Sequence, residues 1–150
     1  MLDTFNGSSL REIVLGHGEQ IGLCQTLERI ADGLPNAIDP ALCREAAGRI
    51  HRVMTRVVQV EQKALVRELS ERGPTRMLDL SATIRRLLRE NAEDLSYAEE
   101  LQETLREMGE GHRTVSADAL GYMLRGFFES RRRRIALERE ILTALAAPEQ

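Results

Sequence analysis

The chain has no tryptophan, and its other aromatic residues are two tyrosines and three phenylalanines among 150 residues. Core volume must therefore come from Leu, Ile, Val, Met and Ala, a palette that suits helices. Cysteine is equally scarce: Cys24 and Cys43 form no CxxC motif and follow no secretory leader, so a reduced, cytoplasmic setting is expected. No apolar run approaches the roughly 18 residues that indicate a membrane span. Met1-Leu2-Asp3-Thr4 offers neither a basic n-region nor an apolar h-region, so neither insertion nor export is expected. A large charge imbalance is also missing. The formal net charge is −3, too small to imply a polyanion, and acids and bases are interspersed except at Arg131 to Arg134; no nucleic-acid partner is expected.

What is present is 42% hydrophobic and 30% charged residues, in a length that corresponds to one domain, residues 1–150, able to bury a core without disulfide or metal staples. Ser9-Leu10-Arg11-Glu12 has the form of a capping box and predicts a helix start. From there Leu10, Ile13, Val14, His17, Ile21, Cys24, Leu27 and Ile30 recur at spacings of three and four, the stripe of an amphipathic helix over about 9–32. Gly16, Gly18 and Gly22 each weaken it by roughly 1 kcal/mol relative to Ala. A close backbone approach near His17 would account for them.

Asp39 before Pro40 reads as N-cap and first residue of a second helix, about 40–72. Its inward line is Cys43, Ala47, Ile50, Met54, Val57, Glu61, Leu65 and Glu68 or Leu69, and Gly73-Pro74 stops it. A third stripe over about 76–108 runs Met77, Leu80, Ile84, Leu87, Asn91, Leu95, Ala98, Leu101, Leu105 and Met108, ending at Gly109-Glu110-Gly111. Ser116 caps a fourth helix to about residue 146, with Leu120, Met123, Phe127, Ser130, Arg134, Leu137 and Ile141 inward and Glu138 at the edge. Four helices of roughly 30 to 50 Å joined by short links predict an all-α, up-down-up-down antiparallel four-helix bundle.

Each helix is apolar at both ends and polar in the middle. His17, Glu61, Asn91 and Arg134 could therefore meet in one core layer, which is how bundles build metal sites. Taken singly, a histidine in an apolar stripe is more often a hydrogen-bonded core residue than a ligand.

Five segments carry a likeness to a known family: Val14-Leu15-Gly16-His17; Leu27 to Leu34; Val57 to Leu65; Leu87-Leu88-Arg89-Glu90-Asn91; and Arg134-Ile135-Ala136-Leu137-Glu138. Over about residues 9–146 the chain resembles the hemerythrin-like (HHE) family. The resemblance implies a four-helix bundle holding two irons, with a histidine on the first helix and histidine–carboxylate pairs on later ones. His17 matches the first-helix ligand, and Glu61 and Glu138 match the carboxylates. Val57, Asn91 and Arg134 stand where the resemblance places histidines. The core polar layer of His17, Glu61, Asn91, Arg134 and Glu138 is thus expected to be a degenerate metal site. No metal or other cofactor is the favoured expectation; if iron binds, its ligands are His17, Glu61 and Glu138. Arg134 is expected to replace the metal's charge in an Arg–Glu network with Glu61 and Glu138, donating to two carboxylate oxygens at once, with Asn91 and His17 meeting the remaining lone pairs.

Other constellations are weaker. Successive helical residues point about 100° apart, so Arg131-Arg132-Arg133-Arg134 forms no single cationic face and is expected to be solvated, with one inward arginine. His51-Arg52-Val53-Met54 lacks the spacing of a phosphotransfer histidine. Cys24 and Cys43 have no seam histidine beside them, and no phosphate loop or HExxH motif is present, so no catalytic residue and no enzyme activity is expected. Two readings remain. The first is a non-catalytic binding or regulatory module for an unidentified protein partner, homodimeric through Leu15, Val58, Leu88, Tyr122 and Phe128, which fall off the main seams. The second is an atypical iron protein that binds or senses oxygen, nitric oxide or redox state.

Overall fold

The computed structural model describes residues 9–72 and 81–146. They form four helices: α1 (Ser9–Asp32), α2 (Pro40–Arg72), α3 (Ser81–Gly109) and α4 (Ala117–Ala146). Several sequence expectations lie outside the described residues and side chains: the Ser9 cap, the Gly73-Pro74 stop, the start of α3 near residue 76, and seam positions Leu10, Glu68, Leu69, Met77 and Leu80. Among the described residues there is no strand.

The helix ends follow from local chemistry. The Leu42 amide donates to Asp39 Oδ1 at 3.2 Å and the Ala119 amide to Ser116 Oγ at 3.0 Å, so both expected N-caps meet otherwise unsatisfied donors. α3 ends in a Schellman arrangement: the His112 amide donates to Glu107 O at 2.9 Å and the Gly111 amide to Met108 O at 3.1 Å. Gly111 there adopts φ 85°, a conformation that a side chain would strain. Gly109 serves a different need. A Cβ on it would collide with the Arg44 side chain and come within 3.0 Å of Pro40 O, so α3 can end flush against the start of α2.

The helices pack in a ring, α1 against α2 and α4, α2 against α3, with α3 and α4 the least closely apposed neighbours in it. Two apolar clusters fill the bundle. The larger includes Leu23, Leu27, Ile50, Met54, Leu101, Leu105, Leu124 and Phe128; the smaller, towards the other end, includes Ile13, Leu65, Ile84, Leu87, Ile141 and Leu142. Between them lie the buried polar residues His17, Gln20, Glu61, Asn91, Arg131, Arg134 and Glu138. Burying so many polar groups between apolar layers is tolerable only if they satisfy one another.

The inward lines differ from the single-file stripes expected. On α4, Met123, Ser130 and Leu137 are half-buried, whereas Leu124, Phe128, Arg131, Ile135 and Leu142 are buried. On α1, Leu23 and Gln20 are buried while Val14 and Ile21 are half-buried. Each helix packs on more than one neighbour, so its covered face is wider than one line of residues. The expected apolar contact patch dissolves for the same reason. Phe128 is core, Leu88 packs on the smaller cluster and Val58 is half-buried, which leaves Leu15 and Tyr122 exposed.

Candidate functional site

All five residues expected in the polar layer are buried and joined in one hydrogen-bonded chain. His17 Nε2 lies 2.9 Å from Glu138 Oε1. Arg134 Nε donates to Glu138 Oε2 at 3.0 Å, and its terminal nitrogens donate to Asn91 Oδ1 at 2.7 Å, to Glu90 Oε2 at 3.0 Å and to Leu87 O. Asn91 Nδ2 then donates to Glu61 Oε1 at 2.8 Å. The guanidinium thus uses its fork on a carboxylate, an amide, a backbone carbonyl and a second carboxylate at once. One expectation needs correction: the core carboxylate bonded directly to Arg134 is Glu138, one helical turn along α4, and Glu61 is linked to the guanidinium through Asn91.

Four residues bonded in or beside this layer were not anticipated. Arg131 is 1% exposed; its NH2 donates to Gln20 Oε1 at 2.8 Å and its NH1 to Asp94 Oδ2 at 2.8 Å. Glu90 takes Arg134. The arginine run therefore turns two members inward, not one. Residues 131 and 134 are three apart and share a helix face, while Arg133 is exposed. Arg132 lies between, pairing with Glu28 at 3.0 Å and covering the Phe128 ring at 4.9 Å. The available signal was spacing: Gln20, Asp94 and Arg131 sit three residues from His17, Asn91 and Arg134. Together the two arginines reach Glu90 and Asp94 across the wide α3–α4 gap.

Charge in the layer is set by burial. His17 is pushed down to about 4, mainly by desolvation, opposed by Glu61 and assisted by Arg139 and Arg131. Its neutral ring donates from Nε2 to the acceptor Glu138, leaving Nδ1 as a buried nitrogen without a partner. Glu61 is pushed up to about 8, first by burial and then by Glu138, to which it is hydrogen-bonded, against smaller opposing effects of Asn91 and Arg131. It therefore holds a proton at neutral pH, so the two adjacent carboxyl groups do not both carry charge.

Val57 is buried in the larger apolar cluster, and His51 and His112 are exposed, away from the layer. The close backbone approach expected at the α1 glycines is not found at Gly16 or Gly18, where an added Cβ would meet nothing within 4 Å; at Gly22 it would touch only the Arg49 side chain at 3.4 Å. Gly16 instead opens onto a groove of about 320 Å³ between α1 and α2, floored by Gln20 and Glu61. No helix among the described residues is long and apolar enough to cross a membrane.

No curated protein and no solved structure matches the chain. Residues 8–146 match the hemerythrin HHE cation binding domain, which covers nearly the whole chain and takes in every residue of the polar layer. The chain belongs to the hemerythrin HHE cation binding domain family.

Proposed function

We propose that this chain is a metal-free, non-catalytic member of its family that acts as a binding or regulatory module in the cytoplasm. The observation that carries the reading is the Arg134 guanidinium, a permanent cation bonded within the polar layer to Glu138 and Asn91. A pair of irons needs several imidazole nitrogens together with carboxylates. Here the layer offers one imidazole, two carboxyl groups, an amide and a guanidinium, with Val57 apolar beside them. A dication would have to enter beside a fixed positive charge that already satisfies Glu138. The residues do not fit an iron pair.

A catalytic role has equally little support. The Cys24 thiol is pushed up by burial and faces Phe128 O at 3.7 Å; the Cys43 thiol is also pushed up by burial. Both are in the state of packing residues, not nucleophiles. The iron-sensing alternative, through His17, Glu61 and Glu138, draws on one observation, the unpartnered lone pair of His17 Nδ1. Metal analysis of protein purified from iron-supplemented cells separates the two readings. The expected result is substoichiometric metal and no visible band, and stoichiometric iron with an oxo-diiron absorption would overturn the metal-free reading.

The proposal includes self-association through the end of the bundle that carries Tyr122. Its side chain is 82% exposed, in a shallow depression shared with Leu34 and Pro35, where an aromatic ring has apolar surface to offer a second copy. Light scattering at high micromolar concentration should report a dimer that Tyr122→Glu dissociates. A monomer at that concentration removes the homodimer from the proposal.

A further inference from the structure

The groove between α1 and α2 belongs to no part of the hydrogen-bonded layer except at its floor. Its volume of about 320 Å³ lies at the lower end of the range of small-molecule sites. Ile13, Val53, Val57 and Val60 supply apolar walls. At the rim Leu15 is 56% exposed, a large apolar side chain turned to water beside the groove, not onto the core. Gly16 adds no side chain to fill the opening: a Cβ there would meet nothing within 4 Å. A helix interior gains stability from almost any residue other than glycine or proline, so vacant space at this position is retained at a cost.

The charge of the lining is one-sided. With Glu61 protonated at the floor, two acidic residues, Glu12 and Glu19, face one basic residue, Arg56, which pairs with Glu19 at 3.0 Å and leaves Glu12 as the unbalanced charge. Glu12 is exposed at the same mouth. An anion entering here would meet Glu12 with no free cation to offset it, whereas a cation would find a carboxylate at the entrance and apolar surface behind it. We propose that this groove binds a small organic monocation, with an ammonium head at the acidic mouth and a short aliphatic body against the valines of α2.

The inference deepens the reading of the chain as a metal-free binding module by naming the class of its ligand, and it rests on that reading. Titration of the whole chain with n-hexylammonium, n-hexanoate and n-hexanol at matched ionic strength, followed by calorimetry or amide chemical shifts, tests it. n-Hexylammonium should bind at least about tenfold more tightly than n-hexanoate, a difference of about 1.4 kcal/mol. Gly16→Leu should fill the groove and weaken n-hexylammonium binding about tenfold or more while the helical circular dichroism and melting temperature are kept or raised. Glu12→Gln, an exposed change that leaves the core untouched, should remove most of the preference for the ammonium over the alcohol, and it decides the matter if Gly16→Leu does not fold. Equal binding of n-hexanoate, or undiminished n-hexylammonium binding by folded Gly16→Leu, would overturn the site. Metal content measured on the same preparation reports on the metal-free reading separately, so either can fail alone.

Discussion

Arg134→Ala is expected to lower folding stability by about 3 to 5 kcal/mol, the order seen when one partner of a buried ion pair is removed. The truncation leaves Glu138, buried on the same helix, without its cation, and takes donors from Asn91 Oδ1 and Leu87 O. Glu90, which is half-exposed, can turn to water and recover part of its loss. Because domains of this size are stable by only about 5 to 15 kcal/mol, the change is a large fraction of the total. Arg134→Met combined with Glu138→Gln should cost much less, since neither charge is left stranded and the new amide can still accept from His17 Nε2–H. Denaturant melts of the two variants at neutral pH provide the comparison. Near-wild-type stability of Arg134→Ala would mean that Glu138 is balanced by something other than this guanidinium, and the iron-binding reading would then gain ground.

Stability should also fall by about 1 kcal/mol between pH 6.5 and 8, and Glu61→Gln should abolish the fall. Glu61 is raised from the ordinary 4.5 to about 8. Between those values the native state holds a proton that the unfolded chain has released, so its contribution is full below 4.5 and is lost as pH rises to about 8. His17 acts in the opposite sense. It is lowered from 6.5 to about 4, so its contribution is full above 6.5 and is lost as pH falls towards 4. From about 4.5 to 6.5 the two slopes cancel and stability is level. Above 6.5 the Glu61 slope prevails: it starts at about 1.4 kcal/mol per pH unit, tapers to half that at pH 8 and is opposed by the end of the His17 titration, which leaves a net loss of about 1 kcal/mol. Cys24 and Cys43, raised above 9, act only at higher pH. Gln at position 61 reproduces the protonated carboxyl, accepting from Asn91 and donating to Glu138, so the variant should match the wild type near pH 5 and exceed it above pH 8. A flat wild-type profile from pH 6.5 to 8 would show that Glu61 is already ionised and paired in the native state.

The number of helices, the Asp39 and Ser116 caps and the turn at Gly111 could be read directly from the residues, because capping, breaking and 3.6-residue periodicity are properties of a few neighbouring positions. The same holds for the presence of a polar layer. His17, Glu61, Asn91 and Arg134 interrupt apolar stripes at mid-helix, and an antiparallel bundle brings the middles of its helices together whatever their exact rotation. Family membership is legible at this level too, since it rests on those positions in that order.

Who bonds to whom was settled only by tertiary structure. Periodicity ranks residues by face to within about one position, and a rotation of that size decides whether Met123 or Leu124 is core. It also brings Arg131 inside with Gln20 and Asp94. Arginine spans several ångströms on rotatable bonds, so spacing alone did not distinguish Glu61 from Glu138 as the partner of Arg134. The glycines of α1 show the limit most directly: the residues suggested a tight approach, yet at Gly16 the neighbouring helix stands away and leaves a groove. Whether a missing side chain makes room for a backbone or for a cavity depends on the separation of two helices, and that distance is set by every other side chain packed between them.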